Sequence, residues 1–208
     1  MEPYKIPLRA AVAEFTEKKS RFISSIGPAG SEKEALEFLR SVRTAHREAS
    51  HNVYCYRINE GGACRHSDDG EPSGTAGMPL LDVFLRQDVY DFCCVATRYF
   101  GGVLLGAGGL TRAYSRCGVV ALESSGVGQM REFSMCVVIA PYPWYEQLKR
   151  LLVSNGAAII TEDFGAEVDI HFALPSEEVT ALQSKLTELA AGKLTICTTG
   201  TRQSVSPP

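Results

Sequence analysis

Apolar and polar positions along the chain mark out short elements of two kinds. Ala10 to Glu17 and Arg21 to Ile26 read as two strands joined at the polar corner Lys18-Lys19-Ser20, which makes a hairpin with lysines at its tip. Ser31 followed by Glu34 is a capping-box pattern, and Leu36, Leu39 and Val42 supply the inner face of a helix to about Ala45. After His51-Asn52, the run Val53 to Ile58 is rich in aromatic and β-branched residues and predicts a strand, ended by the turn Asn59-Glu60-Gly61-Gly62. Arg65 to Gly77 has no apolar period and predicts a long loop. Pro79 suits the first turn of a short helix to about Arg86, with Leu80, Val83 and Phe84 facing in. Phe92 to Thr97 is an apolar run of buried-strand length. Leu110, Ala113, Tyr114, Cys117, Ala121 and Leu122 then recur at helical spacing.

Ser124-Ser125-Gly126-Val127-Gly128 interrupts that helix and predicts a boundary between a domain over residues 1–128 and another over 129–208. In the second, Ser134 to Ala140 predicts a strand, and Pro143 opens a helix with Trp144, Leu148, Leu151 and Leu152 inside, stopped at Asn155-Gly156. Ala157 to Phe164 and Ala166 to Leu174 predict a hairpin about Gly165, with Val168, Ile170, Phe172 and Leu174 on one face. Ser176 caps a helix carrying Val179, Leu182, Leu186 and Leu189, which Gly192 ends. Leu194 to Thr199 is a last strand and Ser204 to Pro208 a polar tail. The order β-α-β-β-α-β is that of the ferredoxin-like split βαβ, so the class is α+β.

Between the strand at Phe92 and the helix at Leu110 lie Gly101, Gly102, Gly106, Gly108 and Gly109. A glycine-rich turn feeding a helix directs free N–H groups and the positive end of the dipole at one spot, which Arg98 and Arg112 flank. The chemistry predicted is an anion-accepting corner. It matches neither familiar phosphate motif: no Lys-Ser or Lys-Thr follows Gly106, and Thr111 stands where a Gly-x-Gly-x-x-Gly would need its third glycine. The plainer alternative is a tight strand-to-helix corner.

The 208 residues, 45% hydrophobic and 22% charged, describe an ordinary globular protein without an apolar run of membrane-spanning length or a signal-peptide core, and the expected location is cytoplasmic. Seven cysteines without Cys-x-x-Cys read as small buried hydrophobes kept reduced, and no metal or cofactor is expected. Net charge is −3, yet residues 1–130 hold fifteen Lys/Arg against fifteen Asp/Glu and residues 131–208 six against nine. Any contact with nucleic acid is therefore local. Asp68, Asp69 and Glu71 could ligate a hard metal or act as an acid–base pair, but Asp-Asp-Gly-Glu lacks the ligand alternation of an EF-hand. The plainer reading gives these carboxylates to backbone N–H groups or to Arg65 or Arg98. His51, heading a strand, is placed to reach this loop, whereas His171 is expected to face solvent.

Lys18-Lys19-Ser20-Arg21-Phe22, His51-Asn52, Ser67 to Gly77 (including Asp68, Asp69, Glu71 and Thr75), Thr97 to Gly102, Leu105 to Leu110 and Arg112-Ala113-Tyr114 together resemble the IMPACT/YigZ family. The resemblance is strong over residues 15–125, and Leu104 stands where some members carry a lysine. It implies an N-terminal βαβ domain of the ribosomal-protein and elongation-factor-G domain IV type, and a ferredoxin-like C-terminal domain resembling domain V of that factor. It further implies association with RNA or the ribosome, a protein partner in the translation machinery, and no membrane. In that reading Lys19, Arg21, Arg98 and Arg112 meet phosphates, Gly101, Gly102, Gly108 and Gly109 form the corner, and Tyr99, Phe100 or Tyr114 supports it or stacks. The alternative is a hydrolase-type enzyme using His51, Asp68 and Asp69 in a cleft beside the glycines.

Overall fold

A computed structural model describes residues 2–206. The chain divides into two compact units, Tyr4–Gln129 and Met130–Val205. In chain order the first contains β1 (Tyr4–Pro7), β2 (Ala11–Glu17), β3 (Ser20–Pro28), α1 (Glu32–Ala45), β4 (His51–Arg57), β5 (Cys64–Ser67), α2 (Gly77–Gln87), β6 (Phe92–Tyr99) and α3 (Ala107–Ser125).

Its sheet has the order β2-β3-β6-β4-β5, and every adjacent pair is antiparallel. It follows that β3 and β4 run parallel on either side of β6, with α1 as the crossover between them. Strand β6 is buried on both faces, which explains its unbroken apolar run. Cys93 and Val95 pack with Ala35, Leu39 and Val42 of α1 on one side. Phe92, Cys94 and Ala96 pack with Leu80 and Phe84 of α2 and Tyr114, Cys117 and Ala121 of α3 on the other. All six residues of the predicted α3 stripe are buried.

Several expectations need correcting. In α1 the inward residues are Ala35, Leu39 and Val42, while Leu36 is exposed, so the helix is rotated from the predicted face. Ser31 caps α1 by accepting from Glu34 N–H, but Glu34 reaches back to Gly30 N–H. Cys64–Ser67 is an edge strand paired with β4 and not part of a loop; its polar sequence suits an edge, where one side faces water. Ser124 to Gly128 is no linker either. Gly126 caps α3 and the next strand, β7 (Val127–Ala140), begins at once, seven residues earlier than expected.

The second unit continues with α4 (Tyr142–Ser154), β8 (Ala158–Phe164), β9 (Val168–Pro175), α5 (Val179–Ala190) and β10 (Cys197–Ser206). Strand order is β10-β7-β9-β8, with β1 a further neighbour of β7. The alternating Val168, Ile170, Phe172 and Leu174 are all fully buried against Leu148, Leu152, Leu182 and Leu186. Ser176 does not cap α5: a 3-10 turn over Ser176–Glu178 precedes that helix, and the Ser176 hydroxyl lies 2.9 Å from that of Ser134. The last strand starts at Cys197, after Leu194, and takes in residues predicted as tail; residues 207–208 of that tail lie outside the described residues.

Candidate functional site

Register gathers the sequence motifs at one end of the first sheet. Where β6 ends, Arg98 stands opposite Phe22 of β3 and His51 of β4. A charged residue closing a buried strand requires a partner, and Arg98 is only 5% exposed. The partner is Glu71, also buried, whose Oε1 accepts from Arg98 Nη1 at 2.6 Å and from the Tyr114 hydroxyl at 2.8 Å. Arg98 Nη2 donates to Ser20 Oγ at 3.2 Å, and the same oxygen accepts from Gly101 N–H at 3.3 Å. Burial, then the Glu71 charge beside it, pushes the Tyr114 hydroxyl well up, so it stays a proton donor. Of the two arginines proposed from sequence for the loop's carboxylates, Arg98 is the one used. Arg65 is exposed and donates to the Cys64 carbonyl.

The neighbouring loop is held by its own carboxylates. Asp68 accepts from Ala76 N–H (3.0 Å), Gly77 N–H (2.8 Å) and Gly74 N–H (2.9 Å) and so caps α2, whose N-cap Ala76 has no side-chain acceptor to offer. Burial alone would raise the Asp68 carboxyl, but those three donors outweigh it and hold the group below its ordinary value. Asp69 sits in the left-handed region at φ 47°, with Oδ1 on Arg43 and Oδ2 on Asn52 N–H, each at 2.6 Å. Ser67 Oγ accepts from Asp69 N–H, and Thr75 Oγ1 donates to the Pro72 carbonyl. The carboxylates assigned to acid–base or metal chemistry are thus engaged in building the loop. Among the described residues no three His, Cys, Asp or Glu side chains are grouped to hold a metal.

His51 is fixed by the same loop. Its Nδ1 lies 2.8 Å from the Asp69 carbonyl, which can only accept, so Nδ1 carries the proton and neutral His51 presents a bare Nε2. That nitrogen is 3.9 Å from Glu71 Oε1. Both groups line a cavity of about 300 Å³ whose remaining wall is Pro72, Arg98, Phe100, Leu104, Leu105, Gly106, Ala107 and Leu110. Phe100 is half-exposed, its N–H donates to Ser50 Oγ and the Arg98 guanidinium lies 5.5 Å from its ring centre.

The glycines divide by role. A Cβ on Gly101 would lie 1.9 Å from the Lys19 carbonyl oxygen, so close approach to the hairpin demands glycine there. Gly102 and Gly106 have φ of 81° and 73°. Gly108 and Gly109 lie in the first turn of α3; the first helical bond runs from Leu110 N–H to the Gly106 carbonyl, so the N–H groups before it have no acceptor within the helix. The two halves of the predicted corner therefore differ: Gly101 and Gly102 shape the turn, while Gly108 and Gly109 supply open donors.

The predicted cations also separate. Arg98 is internal and its charge is met by Glu71, so it presents nothing to a phosphate; this corrects the expectation for that residue. Arg21 is exposed but paired with Glu14 at 2.6 Å. Lys18 and Lys19 form the two-residue hairpin turn with φ of 44° and 67°. Lys18, Arg112 and Arg116 line a groove of about 190 Å³ with Phe15, Leu105 and the carboxylate of Glu17. Sequence reasoning passed over Ser20 and Arg116 and took Tyr114 only as part of an apolar stripe. A tyrosine in such a stripe still has a hydroxyl to satisfy, and that was the available signal.

A family profile described as Impact N-terminal domain matches residues 18–122, and one described as Domain of unknown function (DUF1949) matches residues 138–193. The chain is 35% identical over 181 residues to IMPACT family member YvyE of Bacillus subtilis (strain 168), covering 86% of this chain and 83% of that protein. It is 32% identical over 197 residues to IMPACT family member YigZ of Escherichia coli (strain K12), covering 93% and 97%. A solved structure titled "Crystal structure of an hypothetical protein" is similar at a TM-score of 0.61 and 30% identity, covering 96% of this chain and 98% of that one.

Proposed function

The chain belongs to the IMPACT family, and from that premise we propose that it is a non-enzymatic RNA- or ribosome-associated protein acting in translation, with its phosphate-binding surface on the N-terminal unit. One observation carries the reading. Lys18, Arg112 and Arg116 converge on one groove against a single carboxylate, Glu17, beside the open N–H groups that begin α3. Lys19 extends that face at the exposed hairpin tip. Fixed cations and an uncapped helix start suit a phosphate backbone. A chain of net charge −3 would approach RNA only through such a local patch.

The folds fit the same proposal. Strand order β10-β7-β9-β8 with two helices supports a ferredoxin-like C-terminal unit, and the crossover β3-α1-β4 around β6 supports the likeness of the N-terminal unit to elongation-factor-G domain IV. We place the protein in the cytoplasm, where the translation machinery supplies its RNA and any protein partner.

The test is the pair Lys19→Ala with Arg112→Ala. Both side chains are exposed, so folding should be preserved. Affinity for structured RNA should fall, and the slope of log K against log salt should shrink by about one to two units for two lost phosphate contacts. Unchanged affinity with unchanged slope in the folded variant would reject the surface.

A further inference from the structure

We infer that the cavity beside His51 and Glu71 receives one unpaired nucleobase bearing an exocyclic amino group. The inference rests on the RNA reading above and assigns it a base-reading pocket. The starting observation is two acceptors facing one another with no donor between them. Neutral His51 offers the lone pair of Nε2, because Nδ1–H is committed to the Asp69 carbonyl. Glu71 Oε1 lies 3.9 Å away, and its carboxylate is fixed by Arg98 and Tyr114. Two acceptors at that separation repel unless a group with two hydrogens sits against both, and an amino group is such a group.

The rest of the cavity suits a flat, neutral ring. The Glu71 charge is balanced by Arg98, so neither an anion nor a cation is favoured at its base. The walls are Pro72, Leu104, Leu105 and Leu110, with Phe100 half-exposed as a stacking face. Phe100 is held in place by its N–H bond to Ser50 Oγ. About 300 Å³ is at the small end for ligand pockets, which fits one base and not a folded strand. Gly106 and Ala107 also line it, so a phosphate following the base would meet the open start of α3 and then the cations of the adjoining groove. Recognition of a splayed base by stacking and edge hydrogen bonds, with phosphates on a basic rim, is the general mode for single-stranded RNA.

The amino group is the discriminating feature. Cytosine and uracil have the same shape but differ at C4, where cytosine donates two hydrogens and uracil offers an oxygen. Uracil would bring a third acceptor against His51 Nε2 and Glu71, leaving buried acceptors unpaired. The same chemistry is carried by a base within RNA and by a free nucleotide.

The experiment measures binding of the full chain to a cytidine decamer, a uridine decamer and an abasic decamer by fluorescence anisotropy, with titration calorimetry of free cytidine 5′-monophosphate and uridine 5′-monophosphate beside it. The cytidine decamer should bind about tenfold more tightly than the other two. Phe100→Ala and His51→Ala should each bring cytidine down to the uridine level while leaving uridine binding unchanged. Phe100 is half-exposed, so that variant remains informative should His51→Ala loosen the loop. Lys19→Ala with Arg112→Ala should weaken all three decamers alike. Equal binding of the three decamers, or a cytidine preference that survives Phe100→Ala, overturns the base pocket while the RNA surface stands. Preference for free cytidine 5′-monophosphate with no decamer bound retains the pocket as a nucleotide site and overturns the RNA surface. No binding of any probe overturns both.

Discussion

Removing Arg98 would leave the Glu71 carboxylate buried with only the Tyr114 hydroxyl donating to it. Breaking one side of a buried ion pair costs about 3–5 kcal/mol, so Arg98→Ala should lower the denaturation midpoint of the N-terminal unit sharply. Tyr114→Phe leaves Arg98 in place and should cost about 1–2 kcal/mol, and chemical denaturation followed by circular dichroism measures both. Equal effects of the two changes would show that the hydroxyl, and not the charge, holds Glu71. Asp68 acts differently, because its folded-state pKa lies below its unfolded value. Its contribution is complete above the unfolded value of about 4 and fades as pH falls through that value towards the folded one. Asp68→Asn should cost about 1 kcal/mol at neutral pH through the lost cap and should flatten the loss of stability below about pH 4. A thermal midpoint that falls on acidification as steeply in the variant as in the parent would remove Asp68 as a source of that dependence. At this scale the sequence was partly legible. Capping by loop carboxylates and a partner among the arginines follow from residue type. Choosing Arg98 over Arg65 needs the register that sets Phe22, Arg98 and His51 side by side across three strands.

The hairpin of β2 and β3 turns through Lys18 and Lys19, both in the left-handed region. That is the backbone of the tight two-residue turn that favours Asn-Gly, and non-glycine residues pay about 1–2 kcal/mol each to adopt it. Two lysines held there against their preference put cations at the tip of a rigid ribbon, next to the junction where Gly101 approaches the Lys19 carbonyl. Lys18→Asn with Lys19→Gly should therefore raise stability by about 1–2 kcal/mol while weakening RNA binding. Thermal melts and anisotropy on the same samples would show the two effects moving in opposite directions. Loss of both stability and binding would mean that the lysine stems pack on the turn. Elements themselves were well predicted where burial imposes a period: β6, α3 and β9 carry their patterns on the faces expected. Strand β5 escaped because a polar edge strand has one solvated side and no apolar alternation, and α1 was misfaced because Ala35 gives a weaker signal than Leu36.

Each unit has its own core, and the order of thiols along the chain reports on them separately. Cys55, Cys93, Cys94 and Cys117 are buried in the first unit and Cys136 in the second, while Cys197 is exposed. Burial pushes the Cys93 and Cys117 thiols up to about 12, and those of Cys55 and Cys94 well above their ordinary value, so none of the four is a nucleophile in the folded state. The boundary is what composition could not place, because a continuous strand crosses it: Val127–Gly128 begin β7 and continue the backbone beyond the first unit. A fragment ending at Gln129 keeps the Gly126 carbonyl, which accepts from Leu8 N–H at 3.1 Å, and Val127, which packs on the main core. One ending at Ser124 loses both, together with the glycine cap of α3, and should be less stable by about 1–3 kcal/mol. The longer fragment should melt cooperatively, hide all four thiols from a thiol reagent until denaturant is added, and retain the salt-dependent RNA binding assigned to Lys18, Lys19, Arg112 and Arg116. Thiols that react without denaturant would show that the first unit does not fold alone. Protected thiols without RNA binding would instead move the binding surface off the N-terminal unit.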